Sequence, residues 1–301
     1  MPTTDPHDRG SGLGHEPSAL AWDLCARLTG PGLGLGGPVL WEPSFKLTQG
    51  EVLADRFLLS LPVAAAGASV AGLMRFLGGL RLPPCYRPAL EANLPDAHQL
   101  HLGVERGSRG CHYKCYLEFR QPPGRPGDTG EPLPPSLVYL AFKWDPTQPQ
   151  RHALARYWDR CAMNLDDLTR WIAALCGAGA VALAAADLLA RVATVLPVAE
   201  LMVLEVREDG NPRCSFDLGL YDADLRLCDL GDWLAPLWDH FGIAPPRRAA
   251  LLGRVGAAAL GHFAGGVGRD GVEFCSICYG VGRLVPALGA GGAGSGPRGG
   301  A

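Results

Sequence analysis

The sequence predicts an α+β fold built on an antiparallel sheet of ten strands, paired as five hairpins. Three observations point there. Five pairs of alternating segments are each joined by a short polar or Gly-rich turn. Segments with helical spacing separate most of these pairs. The polar faces of the strands carry bulky tyrosines beside single cations, where a solvated sheet would carry Thr, Lys, Glu and Ser. The repeating unit is roughly strand–strand–helix–helix. Such a sheet can close into a barrel with its helices outside, or stay open with helices on one face, and periodicity allows both.

In chain order, "VLWEPSFKL" runs through the turn "TQGE" into "ADRFLLSLPV", the first hairpin. "GASVAGLMRFLGGL" follows at helical spacing, and "RPALEANL" adds a short helix. "HQLHLGVE", the turn "RGSRG" and "CHYKCYLEF" form the second hairpin. "QPPGRPGDTGEPLPP" is a Pro/Gly loop. "SLVYLAFKW" and "RHALARYW" pair across "DPTQPQ". "NLDDLTRWIAALC" is a helix with Asn164 as N-cap, and an alanine-rich helix comes next. "ELMVLEVRE" and "RCSFDLGLYD" turn at "DGNP". Two helical segments, "DLGDWLAPLWDHFG" and "RRAALLGRVGAAALG", precede a last hairpin of "GHFAGGVG" and "VEFCSICYG". Residues 1–35 and 285–301, rich in Gly, Pro and polar residues, are expected to be disordered tails around a single domain of residues 36–284.

Composition narrows the function classes. The chain has 301 residues, 48% hydrophobic and 19% charged, with a formal net charge of -3. No overall basic field favours nucleic acid or an anionic membrane, so any anion site must be local. The most apolar stretch carries Asp187 and Arg191 and reads as core helix, not membrane span. No secretory signal is visible at the start, so the ten cysteines read as reduced thiols and the chain as cytoplasmic.

The cysteines also argue against zinc. Cys111 and Cys115 share one strand face but lie about 13 Å apart, too far for one metal. Cys275 and Cys278 point to opposite faces of theirs. Packing is the reading for all four. Asp166 and Asp167 could suggest an Asp-rich magnesium motif, but they sit in a helix's first turn, where acids favour the dipole, and no second acidic motif exists.

Parity sorts the strand faces. His112, Lys114, Tyr116 and Glu118 share one face of their strand, against Tyr113, Cys115, Leu117 and Phe119. Arg213, Ser215, Asp217, Gly219 and Tyr221 oppose Cys214, Phe216, Leu218 and Leu220. Tyr139 and Lys143 oppose Val138, Leu140, Phe142 and Trp144. Tyrosines and lone cations on one face suit a wide lumen that holds an anion at one end and an aromatic or apolar group at the other. By parity Lys143 and Arg213 are either phosphate ligands or surface charges, and Tyr116, Tyr139 and Tyr221 are candidate lumen aromatics. The inward side at Tyr279 is not decided by parity.

"LWEPSFKLTQGEVLADRFLL", Leu40 to Leu59, carries Glu42, Ser44, Lys46, Ala54, Arg56, Phe57, Leu58 and Leu59. This gapless pattern resembles the corresponding segment of the cyanobactin-type peptide prenyltransferases. "LGVERGSRGCHYKCYLEF", with Gly103, Glu105 and Lys114, resembles that family's next hairpin. The resemblance covers roughly residues 38–120 and is topological beyond them. It implies the fold of the wider ABBA group of aromatic prenyltransferases: a ten-stranded antiparallel β-barrel (PT barrel) of repeated ββαα units, surrounded by α-helices. It also implies transfer of a dimethylallyl or geranyl group from its diphosphate to a side chain of a peptide, often a cyclic ribosomal one. By the match, Glu42 is the base-like carboxylate, and Arg56 and Lys114 hold the diphosphate; Lys143 and Arg213 are further candidates. Mg2+ would enter bound through the diphosphate. The expected partners are the prenyl diphosphate and the peptide acceptor, with the chain acting as a monomer. A non-catalytic barrel that binds a hydrophobic ligand and a small-molecule aromatic prenyltransferase are the competing readings.

Overall fold

Alternation of apolar and polar residues over ten positions makes β1 (Val39–Thr48), and the tight turn at Gln49 and Gly50 returns the chain as β2 (Glu51–Pro62). The computed structural model describes residues 16–30, 38–63, 70–107, 110–120, 136–160 and 163–284. The Pro/Gly loop at 121–135, the tail at 285–301 and the first fifteen residues lie outside them. Further hairpins follow as β3 (Ala97–Gly107) with β4 (Gly110–Phe119), β5 (Leu137–Asp145) with β6 (Gln148–Asp159), β7 (Met202–Glu208) with β8 (Cys214–Gly219), and β9 (Leu260–Val267) with β10 (Glu273–Tyr279). Each strand pairs antiparallel with the next, and β10 returns to pair with β1, in register from Ser44↔Cys278 to Leu47↔Cys275. The sheet is therefore a closed ten-stranded barrel, and the open-sheet alternative is excluded. A short β11 (Gly282–Leu284) extends β1 beyond the seam.

Helices cover the outside in two groups. α4 (Leu165–Cys176), α5 (Ala180–Val192), α6 (Gly231–His240) and α7 (Pro245–Val255) lie over β8, β9, β10 and the end of β1. The Asn164 side chain accepts from the Asp167 N–H, so the paired aspartates do stand in a capped first turn. Phe45 stacks on Trp238 at 5.8 Å, and the Trp233 Nε1–H donates to the Ala184 carbonyl at 2.7 Å. Gly265 lets α5 approach the sheet, since a Cβ there would stand 2.4 Å from Val181 Cγ1.

α2 (Val70–Gly79) and α3 (Arg87–Asn93) cover the other side, with Trp144 Nε1–H donating to the Leu80 carbonyl at 2.9 Å. They are joined by a helix that the sequence reading places in a tail. α1 (Ala19–Leu28) starts at Ser18, whose side chain accepts from the Ala21 N–H, and fully buries Ala21, Leu24, Cys25 and Leu28. Four such side chains at helical spacing, with Leu24 and Leu28 each worth about 1.5–3 kcal/mol of burial, overcome the Gly/Pro-rich flanks that suggest disorder. The expectation of a disordered 1–35 is corrected for residues 19–28.

The alternation predicted for "CHYKCYLEF" holds. Cys115 and Leu117 are buried among residues of the α1–α3 side, Cys111 packs against the same group, and Lys114, Tyr116 and Glu118 line a cavity. Cys275 packs under the helices and Cys278 faces the lumen. Tyr279 faces the helices, 6.0 Å from Phe45.

Candidate active site

The inward face of every strand meets in one lumen, with a cavity of about 580 Å³ whose lining includes Glu42, Arg56, Lys114, Tyr116, Tyr139, Tyr157 and His262. Three zones divide it: a cationic end, a band of tyrosines and a carboxylate–imidazole end.

The cationic end is set by register. Arg56 lies opposite Glu105 and Lys114 opposite Lys143, while Lys46 lies opposite Ser276. Two lysines directly across a ladder repel one another, so carboxylates are interleaved. Glu105 Oε2 accepts from Lys114 Nζ at 2.9 Å and from Arg56 Nε at 3.1 Å. Glu208 accepts from Lys143 at 2.7 Å, from Arg213 at 2.9 Å and faces Arg269 at 3.1 Å. Burial pushes both carboxyls up, but the surrounding cations win and hold both well below the usual carboxylate range. Five inward cations (Lys46, Arg56, Lys114, Lys143 and Arg213) thus face two carboxylates. The surplus shows in the cations. Burial, aided by Arg56, Lys114 and Arg213, draws the Lys46 amine down to about 8 against the pull of Glu105. The buried Nε of Arg213 has no hydrogen-bond partner. Lys46 and Arg213 both stand over the Phe274 ring, at 4.7 and 5.2 Å. The parity reading leaves Lys143 and Arg213 as phosphate ligands or surface charges; both pair with Glu208 on the inward side, Lys143 buried and Arg213 part-buried.

The tyrosine band consists of Tyr116, Tyr139 and Tyr157, edge to face at 5.7–6.4 Å. Burial raises all three phenols, well above the ordinary value for Tyr116 and Tyr139 and to about 12 for Tyr157, so they stay protonated at neutral pH. Tyr221 was grouped with this band by strand parity. β8 ends at Gly219, and Tyr221 instead opens the single 3-10 turn Tyr221–Ala223. That turn still aims its ring inward, where its hydroxyl donates to Glu42 Oε1.

The third zone surrounds Glu42, which is 7% exposed. Burial raises its carboxyl, opposed by His262 and the Tyr221 hydrogen bond. His262 Nδ1 lies 2.7 Å from Asp217 Oδ1, and its ring meets Tyr221 edge-on at 5.0 Å. Across the lumen, His101 lies 2.7 Å from both Ser60 Oγ and Glu118 Oε2. The cavity reaches the surface on this side, past exposed Asp222, Asp224, Arg226 and Ala257.

Glu42, Arg56, Lys114, Tyr116, Tyr139 and Tyr221 therefore line one cavity, with Lys143 and Arg213 beside it. Sequence reasoning missed Tyr157, His262, His101, Glu208 and the place of Lys46. Lys46 was legible, since it continues the alternation Glu42, Ser44, Lys46. Tyr157 follows from the same parity in "RHALARYW". His262 sits in a Gly-rich strand too short of side chains for parity to single it out.

No protein-family model matches the chain, and no curated protein sequence matches it. Among solved structures it is similar to a 6-dimethylallyltryptophan synthase from Micromonospora olivasterospora, solved with DMASPP and Trp. The TM-score is 0.53 at 15% identity, covering 89% of this chain and 92% of that one. A second structure, of a 6-dimethylallyl tryptophan synthase, gives 0.50 at 15% identity, with 89% and 91% covered. The likeness is one of fold, the PT barrel of the ABBA prenyltransferases.

Proposed function

We propose that this chain is a prenyltransferase that moves a dimethylallyl or geranyl group from its diphosphate to a side chain of a peptide acceptor. The observation that carries this reading is the placement of Glu42, Arg56 and Lys114 on one cavity, with Tyr116, Tyr139 and Tyr157 in the same lining. A carrier for an apolar ligand would need only the apolar walls.

In this reading the diphosphate lies among Arg56, Lys114, Lys46, Lys143 and Arg213. The allylic C–O bond breaks with its electron pair leaving on the diphosphate, and the fixed cations stabilise that charge in a water-poor site. The faces of Tyr116, Tyr139 and Tyr157 shield the allylic cation and keep water from quenching it. The acceptor's lone pair forms the new bond, and its proton passes to Glu42. Among the described residues no three or more His, Cys, Asp or Glu are placed to hold a metal ion. Mg2+ would be held through the oxygens of the diphosphate, whose charge it would help to neutralise.

The peptide acceptor is supported by the resemblance of residues 38–120 to the cyanobactin-type enzymes and by the cavity's opening at Asp222, Asp224, Arg226 and Ala257. That mouth leaves room for the rest of a substrate too large for the lumen. A small aromatic acceptor is the second reading, favoured by the similar structure that holds Trp. Mass spectrometry after incubation with dimethylallyl and geranyl diphosphates, cyclic and linear peptides, and free tryptophan separates the two. One prenyl unit added to a peptide side chain is expected. Transfer to tryptophan alone would favour the small-molecule reading, and no transfer to anything would remove the enzyme reading.

A further inference from the structure

We propose that Asp217 and His262 form a positioning pair for Glu42, so that the acceptor's proton is received beside a held imidazole and not by an isolated carboxylate. This rests on the prenyl-transfer reading and deepens its acceptor side.

The pair is built by register. Gly219 lies opposite His262 and Asp217 opposite Ala264, so Asp217 and His262 are diagonal neighbours on the inward face of β8 and β9. The 2.7 Å contact to Asp217 Oδ1 fixes Nδ1, and with it the orientation of the ring. That orientation sets the ring edge-on to Tyr221, whose hydroxyl is committed to Glu42. The preceding residue leaves space for this arrangement. A Cβ at Gly261 would stand 2.7 Å from Tyr221 Cε1 and 2.8 Å from Glu42 Oε1. The backbone that carries His262 is thus pressed against the Glu42–Tyr221 contact itself.

The charges around His262 come from several elements. β1 gives Glu42, β8 gives Asp217, and β4 gives Glu118 from across the lumen. The turn after β8 gives Tyr221, and Asp222, Asp224 and Arg226 stand at the mouth. β3 gives His101, β5 gives Tyr139 and β10 gives Cys278, opposite His262 in register. Burial alone would lower the imidazole, but Asp217, Glu42 and Glu118 outweigh it and raise it to about 9. It is therefore an imidazolium at neutral pH. The effect on Glu42 is reciprocal: burial pushes that carboxyl up, and His262 is the largest influence drawing it back towards the carboxylate that can accept a proton.

The test compares wild type with His262→Gln and Asp217→Asn, using prenyl diphosphate and whichever acceptor is modified. kcat is expected to fall roughly 10- to 100-fold with the KM for the donor unchanged, as for loss of a group behind the reacting one. In His262→Gln the acid limb of the kcat profile is expected to move up by about one pH unit, because Glu42 loses its neighbouring cation; Asp217→Asn also removes a negative charge that raises Glu42, so its limb moves less. Restoring the carboxylate one methylene longer, as Asp217→Glu, should recover part of both effects. A fall in kcat without movement of the acid limb would overturn the proposal, as would no fall at all.

A second arm needs no turnover. Imidazole NMR of the resting protein should show His262 titrating above the ordinary histidine range, and lower in both Asp217→Asn and Glu42→Gln. An ordinary titration in wild type would overturn the proposal whatever the activity. A raised titration that both variants lower, in a protein that transfers no prenyl group to any acceptor, would support the pair and overturn the functional reading instead.

Discussion

The Tyr221 hydroxyl donates to Glu42 although 179 residues separate the two in sequence. One comes from the first strand of the barrel and the other from the turn after the eighth, and they meet inside the lumen. Because burial raises the phenol well above its ordinary value, it remains a donor throughout the working pH range. It holds one carboxylate oxygen of Glu42 and leaves the other to the cavity.

Glu42→Gln keeps the shape and the Tyr221 contact but removes the carboxylate that the proposed reading makes the base. Transfer is expected to slow by about 10²-fold or more, in line with general-base contributions. Binding of a non-ionising donor analogue, followed by calorimetry, should stay within about twofold of wild type. Equal losses in both would mean that Glu42 only shapes the lumen.

Arg56 bonds both Glu105 and Ser276. Arg56→Ala removes one charge-assisted contact that the proposed reading gives the diphosphate, and it leaves Glu105 to neutralise Lys114 alone. The KM for prenyl diphosphate should rise about tenfold or more, since one such contact is worth roughly 1.5–3 kcal/mol. Steady-state kinetics with varied donor would read this, and an unchanged KM would move the anion site away from Arg56.

Glu105→Gln tests the charge surplus from the other side. It leaves Arg56 and Lys114, both part-buried, without their carboxylate, a change of up to about 3 kcal/mol, the low end for a broken buried pair. The apo protein should melt lower, and inorganic pyrophosphate should restore more of the melting temperature than it adds to wild type. Equal shifts in both proteins would show that the anion does not sit against these cations.

Stability should also depend on pH through His262. Its folded value, about 9, is raised above the ordinary 6.5. The stabilisation is therefore complete below the unfolded value and is lost as pH climbs through about 9, by roughly 3 kcal/mol. Lys46, lowered to about 8, works in the opposite direction above that pH. The informative quantity is thus the difference between wild type and His262→Gln in urea melts from pH 6 to 10, which should shrink as pH rises. A constant difference would remove the charge from His262.

Much of this architecture was legible because β-strands alternate strictly and the two faces of this barrel differ sharply. Leu117 and Lys114 could be assigned to opposite sides from nine residues of sequence. Glu42, Arg56 and Lys114 were placed by the resemblance of the first two hairpins, and Lys143 and Arg213 by parity alone. Parity fails where the chain leaves the strand, so it gives Tyr221 the right cavity but puts it on a strand where the chain makes a turn. It also failed in "GHFAGGV", where glycines make room for α5 and for the Glu42–Tyr221 contact and leave His262 without a pattern around it. α1 was hidden because its flanks resemble a tail, while the four side chains it buries gain meaning only from the surface they meet. The carboxylates Glu105 and Glu208 illustrate a general limit: alternation tells that a charge points inward, but not which opposite charge it will find there.

The seam between β1 and β10 sets an order of events during synthesis. Glu42 and Arg56 leave the ribosome early, yet the wall that closes over them, Ser276 and Cys278, is among the last described parts of the barrel to emerge. A chain interrupted before Glu273 would present its cations and its carboxylate to water on an open edge. The closed lumen therefore comes into being in one late step, and a half-made chain has no half-working version of it.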